Sequence, residues 1–139
     1  MMNRARSAGL TLLAATALAA CSSGAAATPA TSLFGTTWRV VDIAGQPTFG
    51  NNPPTITFRE GRLRGNSGCN PVSAPSTLEH PVIDGGSINS TLRLCEGDVA
   101  ATETLFMRAL IGANRVSFDD GGNLVLEGDG GDVHFVVSR

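Results

Sequence analysis

Two glycine-rich connectors near the C-terminus constrain this chain more than any other feature. Asp119-Asp120-Gly121-Gly122 and Gly128-Asp129-Gly130-Gly131 separate three short runs, Arg115–Phe118, Asn123–Leu126 and Val133–Val137. Connectors this short and glycine-rich are hairpin signals, and hairpins join antiparallel neighbours. Alternation marks one buried face on each run: Val116/Phe118, Leu124/Leu126 and Val133/Phe135/Val137. The same logic reads backwards along the chain. Thr37-Trp38-Arg39-Val40-Val41-Asp42-Ile43 is β-branched and aromatic and ends at Gly45. Thr55–Arg59 alternates, Glu60-Gly61 turns, and Arg62-Leu63-Arg64 returns. Pro53-Pro54 blocks extension of that hairpin's first strand towards the N-terminus.

One helix interrupts the strands, predicted over Asp98–Ile111. Val99, Thr102, Phe106, Ala109 and Leu110 form its apolar stripe, Asp98 is the expected N-cap and Gly112 the expected stop. The stretch from Pro71 to Asp84 has little pattern; Val82-Ile83 and Ser87–Leu92 suggest further strands. The fold class that follows is α+β and mostly antiparallel: a small curved sheet or open barrel with one packed helix.

The N-terminus reads as an address. Arg4 and Arg6 precede an apolar run from Gly9 to Ala20, the positive and hydrophobic regions of a secretory signal. A spanning helix needs about 20 apolar residues, so the run is too short to cross. Leu18-Ala19-Ala20-Cys21 resembles a bacterial lipobox. The resemblance implies cleavage before Cys21 and a diacylglycerol on its sulfur, with residues 1–20 removed. An ordinary signal peptide, with Cys21 in or near the cut, is the competing reading. Residues 21–31 then hold the lipidated cysteine and a tether, SSGAAATPAT, with no large apolar residue. The domain is expected over 32–139. The implied localisation is the cell envelope, on the exported side, with the membrane as a partner through the anchor.

Charge and composition exclude several functions. The formal charge is −2, which offers no footprint for nucleic acid. Loss of the signal removes two arginines and leaves the mature chain more acidic, so no polybasic grip on anionic lipid is expected. There is no Tyr, and every basic residue is Arg, which excludes phenol and lysine-amine chemistry. No cofactor is expected.

With Cys21 assigned to lipid, Cys69 and Cys95 remain, and an even pair in an exported domain points to a disulfide. A zinc site from Cys69, Cys95, His80 and His134 lacks any close ligand spacing, and an unpaired nucleophilic thiol tends to oxidise outside the cytoplasm. No metal site and no catalytic residue is therefore assigned. His134 lies between Val133 and Phe135 and should face outwards, which weakens a Ser138-His134-Asp132 arrangement. His80 reads as a solvated turn. Asp119-Asp120 and Asp129/Asp132 suit turn chemistry, with a weak Ca²⁺ contact as the alternative. Trp38 reads as core. Arg59, Arg62 and Arg64 cluster on one hairpin; they either keep an edge strand soluble or contact an acidic partner or a phosphate headgroup.

Four motifs occur in register: Leu33-x-Gly35-Thr36-x-Trp38, Gly68-Cys69-Asn70, Thr91…Cys95 and Glu103-x-x-Phe106-x-x-Ala109-Leu110. Together they resemble the META (HslJ-like) domain of bacterial envelope lipoproteins and heat-shock proteins, over about Leu33 to Val136. The resemblance implies a small β-rich fold with a helix, a Cys69/Cys95 pair, a link to heat-shock and envelope stress, and no enzymatic activity. The chain departs from the family after Asn70. The usual aromatic, Gly and Tyr are replaced by Val72, Ala74 and Ser76, and Leu92-Arg93-Leu94 replaces small or Met residues.

The expectation is a membrane-anchored, non-enzymatic envelope module that binds or braces an envelope protein. Its alternatives are a carrier or sensor of a small apolar ligand, and an inhibitor of an exported hydrolase.

Overall fold

The computed structural model describes residues 32–76 and 85–139. The lipobox with Cys21, the tether, His80 and the Val82-Ile83 run lie outside the described residues.

The strands are β1 (Thr37–Ile43), β2 (Gln46–Pro47), β3 (Thr55–Arg59), β4 (Arg62–Asn66), β5 (Pro71–Ala74), β6 (Asn89–Ser90), β7 (Ala113–Phe118), β8 (Leu124–Gly128) and β9 (Val133–Val137). The helix α1 spans Gly97–Gly112 between β6 and β7. One sheet holds all the strands in the order β6-β5-β4-β3-β1-β9-β8-β7, with β2 beside β1. Each strand pairing is antiparallel. The sheet curls into a half-barrel around α1, as the alternation and the helix stripe predict.

The concave face is the core. Trp38, Val40, Ile56, Phe58, Leu63, Phe106, Leu110, Leu124 and Phe135 are all fully buried. Trp38 donates its indole N–H to the Leu33 carbonyl at 3.3 Å and packs its ring 5.8 Å from Phe118. Thr102 is the one polar residue of the helix stripe. It earns its place by clasping the Phe49 peptide: its Oγ1 accepts from the Phe49 N–H at 3.2 Å and lies 3.3 Å from the Phe49 carbonyl.

Several expectations shift by physical causes. Phe118 and Val137 are 45% and 40% exposed, each being the last residue of its strand, Phe118 on the edge strand β7 and Val137 on β9. The helix begins at Gly97 with Glu96 as its N-cap, and Glu96 makes no side-chain cap bond, so Asp98 falls inside the first turn. Pro71–Ala74 is a strand although its run is too short to show a period. Val72 and Ala74 point into the core from it. The strand suggested over Ser87–Leu92 reduces to Asn89–Ser90. The two-residue β2 was not foreseen. No described helix is long and apolar enough to cross a membrane.

Candidate functional site

The chain's motif residues converge beside one end of α1. Asn66, Ser67, Gly68, Cys69 and Asn70 form a tight turn between β4 and β5. Gly68 adopts φ +94°, and a Cβ there would stand 3.0 Å from the Asn52 carbonyl oxygen, so glycine is required twice over. The turn aims Asn70 inwards at 3% exposure.

Asn70 fills all four hydrogen-bonding places of its amide. Its Nδ2 donates to the Arg93 carbonyl at 2.9 Å and to Glu103 Oε1 at 2.8 Å. Its Oδ1 accepts from Thr91 Oγ1 at 2.7 Å and from the Arg93 N–H at 3.0 Å. The side chain thereby holds the Arg93 peptide much as an adjacent strand would. Ser67 Oγ donates to Glu103 Oε1 at 2.6 Å and accepts from the N–H groups of Cys69 and Asn70. Arg93 Nη2 donates to the Cys69 carbonyl at 2.6 Å. Cys69 and Cys95 form a disulfide with Cα atoms 6.2 Å apart. No buried side-chain nitrogen or oxygen among the described residues lacks a partner. The network thereby braces the loop between β6 and α1 from both sides of the Arg93 peptide.

The braced loop has an unusual outer surface. Leu92 is 92% exposed and Leu94 is 94% exposed, on either side of the clamped Arg93. They border a cavity of about 280 Å³ with Met107 and Glu103.

The predicted arginine cluster lies next to this loop. Cross-strand register sets Arg59 opposite Arg62 and Thr57 opposite Arg64. Alternation sends Arg62 and Arg64 outwards and Leu63 into the core. Ser73 is opposite Arg64 and Asn89 is opposite Ser73, so the three form a row across β4, β5 and β6. A cavity of about 410 Å³ opens here, lined by Arg62, Arg64, Ser73, Asn89, Ser90 and Thr91 among others. Among the described residues no carboxylate lines it. The one salt bridge among the described residues, Arg115–Glu127, lies elsewhere, on β7 and β8. A second cavity of about 440 Å³ on the outer side of β1 and β9 is lined by Arg39 and Arg139.

The remaining candidates do not assemble a site. His134 is exposed on β9, as alternation predicts. Cys69 and Cys95 are bonded to each other, which removes both from any zinc set. Among the described residues no three His, Cys, Asp or Glu side chains gather closely enough to hold a metal. Asp119 works inside its turn: Oδ1 accepts from the N–H groups of Gly121 and Asn123. The bonds from Asn123 lower its pKa below the ordinary aspartate value. Glu127 is lowered likewise, first by the Ser117 hydroxyl and then by Arg115.

The family model that matches this chain is the META domain, over residues 31–139. The chain belongs to the META domain family. Two solved structures share the META fold seen here. One is an NMR structure of a protein from Burkholderia xenovorans, 22% identical, with a TM-score of 0.57, covering 77% of this chain and 84% of that one. The other is an NMR structure 21% identical, with a TM-score of 0.59, covering 76% of this chain and 91% of the other. No curated protein matches.

Within this META domain the motif residues Cys69, Asn70, Thr91, Cys95 and Glu103 are one bonded cluster. The positions that depart from the family pattern are now placed: Val72, Ala74 and Ser76 are buried, while Leu92 and Leu94 are the loop's exposed pair. Sequence reasoning missed Ser73 and Asn89 as neighbours of the arginines in the cleft. Only strand register unites them, and β5 and β6 are too short to announce one.

Proposed function

We propose that the chain is an exported lipoprotein, held to the cell envelope through Cys21, whose META domain is a non-enzymatic binding module linked to stress. Membership of a family without known enzymatic activity supports the module reading. The lipobox pattern at Leu18–Cys21 and the disulfide, which persists in oxidising compartments, support the exported location. The observation that carries binding is the loop itself. Two leucines are almost fully exposed on a backbone that Asn70 and the disulfide hold rigid, beside arginines with no acidic partner among the described residues. Rigid presentation of apolar side chains to solvent is costly unless something covers them.

The carrier alternative has less behind it. The interior is filled by Trp38, Phe58, Phe106 and Phe135, and each cavity described above is lined by an ionisable group. Nothing in the geometry favours a hydrolase inhibitor.

The test is Cys21→Ser in cells, read by fractionation and intact mass. The wild type should fractionate with membrane, cut before Cys21 and carrying acyl chains. A Cys21→Ser protein still membrane-held with its signal removed would overturn the anchor.

A further inference from the structure

We propose that the loop between β6 and α1, with the arginine cleft beside it, docks the domain on an anionic phospholipid surface. Leu92 and Leu94 enter the apolar boundary, and Arg62 and Arg64 take headgroup phosphate. This deepens the binding-module reading and rests on it, but it does not need the lipid on Cys21.

Four observations point to lipid as the occupant. The first is adjacency of opposite chemistries. Thr91 lines both the arginine cleft and the cavity edged by Leu92 and Leu94, so one short segment joins a cationic recess to an apolar tip. Headgroups and acyl chains present that same pair of chemistries over a similar depth. The second is the cleft's donor set. Two arginines, Arg62 and Arg64, stand on one strand face, with the Ser73 hydroxyl and the Asn89 amide, which also donates to the Ser87 carbonyl, in the adjoining row and no carboxylate among the described lining residues. Such donors match the oxygens of a phosphate.

The third is charge placement. Arg39, Arg59, Arg62 and Arg64 lie on outward positions of β1, β3 and β4, with Thr37, Thr55 and Thr57 between them. The chain as a whole is acidic, yet here four arginines outnumber the two neighbouring acids, Asp42 on β1 and Glu60 in the β3–β4 turn. Like charges set directly opposite, as Arg59 and Arg62 are, weaken a hairpin. A polyanionic surface relieves that repulsion. The fourth is reach. If Cys21 is anchored, the ten residues Ser22–Thr31 span at most about 36 Å when fully extended, little more than a domain diameter. The domain would then stay within about 36 Å of the bilayer, which raises its local concentration at the surface. A protein partner is less well matched, because the exposed tip carries no aromatic side chain of the kind that anchors protein interfaces.

The test uses the full-length protein in nanodiscs of phosphatidylcholine alone or of phosphatidylcholine mixed with phosphatidylglycerol. Hydrogen exchange is read by mass spectrometry, and intact mass reports separately whether Cys21 carries lipid. Docking predicts slower exchange in the β6–α1 loop and in β4 and β5 only when phosphatidylglycerol is present. Each of Arg62→Gln and Arg64→Gln should cut that protection about fivefold, the effect of roughly 1 kcal/mol per basic residue at an anionic surface. Leu92→Ser with Leu94→Ser should remove it without lowering the melting temperature, since both side chains are already in water. Identical exchange in the two discs overturns the proposal. Free inorganic phosphate, titrated against the arginine Nε–Hε resonances in neutral detergent, separates the phosphate sources. Saturable phosphate binding without phosphatidylglycerol-dependent protection overturns membrane docking in favour of a soluble phosphate ligand. Protection induced by a poly-glutamate peptide and not by phosphatidylglycerol overturns it in favour of an acidic protein partner.

Discussion

Asn70→Asp is the sharpest perturbation of this domain. The change is nearly isosteric, so it alters hydrogen bonding and charge and leaves packing alone. In the native protein Nδ2 donates to the Arg93 carbonyl and to Glu103 Oε1, at 2.9 and 2.8 Å. An aspartate oxygen in that place donates nothing. It faces a carbonyl oxygen and a second carboxylate instead. The lost neutral bond contributes about 1 kcal/mol, and the one to the charged Glu103 about 2. Two unit charges 4 Å apart repel by about 4 kcal/mol at an effective dielectric of 20. Glu103 is half-buried, so solvent takes up a good part of this. The expected loss is about 5 kcal/mol at pH 7. Asn70→Ala drops those two bonds and also the two that Oδ1 accepts from Thr91 and the Arg93 N–H, but it adds no repulsion and lets water re-pair the exposed groups, so about 3 kcal/mol is expected. For a domain of this size the aspartate variant should melt about 20 °C or more below wild type.

The pH dependence separates repulsion from simple loss of bonds. The Glu103 carboxylate raises the introduced aspartate's folded pKa above its unfolded value of about 3.9. A group raised on folding stabilises the fold when protonated, and that contribution disappears as pH rises through the folded value. The deficit of Asn70→Asp relative to wild type should therefore shrink towards pH 4 and grow towards pH 7. The deficit of Asn70→Ala should not grow towards pH 7 in this way, because alanine introduces no charge for Glu103 to repel. Urea titrations followed through Trp38 fluorescence give both curves, with a thiol assay confirming that the disulfide is intact. An aspartate variant within about 1 kcal/mol of wild type at pH 7, or a deficit that ignores pH, refutes the account of Asn70 as the clamp.

Other consequences follow from the same contacts. Replacing Cys69 and Cys95 together by serine frees a crosslink of sequence separation 26 and should cost about 3.5 kcal/mol by chain entropy, measured by denaturant midpoint. At Gly112 a Cβ would meet the Gly130 nitrogen at 2.5 Å; Gly112→Ala should prise the helix end from the β8–β9 hairpin and cost about 2 kcal/mol in thermal melts. Glu127 and Asp119 both have lowered pKa values. Their contributions should be present above the ordinary carboxylate range and vanish as pH falls through the lowered values, which carboxyl-carbon NMR titration will follow residue by residue.

The central strands and the helix were legible because each repeats its pattern long enough to establish a period. Thr37–Ile43, Thr55–Arg59 and Val133–Val137 are found as read, and the stripe Thr102, Phe106, Ala109 and Leu110 is buried. Strand β5 was not legible: four residues containing a proline look like a loop, and only the neighbours Leu63 and Gly65 turn Val72 and Ala74 into core. The arginine cluster could be read as a cluster, but its cleft could not. Ser73 and Asn89 reach it through a register that no local pattern encodes. The exposure of Leu92 and Leu94 was equally hidden, because an apolar pair in a sequence reads as core until a clamp such as Asn70 is seen holding the peptide between them the other way.

Net charge argued against an electrostatic grip on lipid, and the fold shows why a total can mislead. Screening confines surface electrostatics to about 8–10 Å at physiological salt. A bilayer therefore responds to the side chains on the facing surface and hardly to those beyond the core. Strand alternation does the sorting here: every second residue of β3 and β4 points outwards, and those positions hold Arg59, Arg62 and Arg64 and no acid. Asp119, Asp120 and Asp129 gather in the β7–β8 and β8–β9 turns, whereas Glu60 in the β3–β4 turn and Glu96 and Asp98 at the helix start lie close to the proposed surface. An acidic domain can thus present a basic face, and the repulsion between its opposed arginines gives that face a standing preference for anions over open solvent. That preference has a direct salt signature. Raising ionic strength should weaken docking through Arg62 and Arg64, while the apolar contribution of Leu92 and Leu94 persists, so the two halves of the proposed surface can be told apart in one titration.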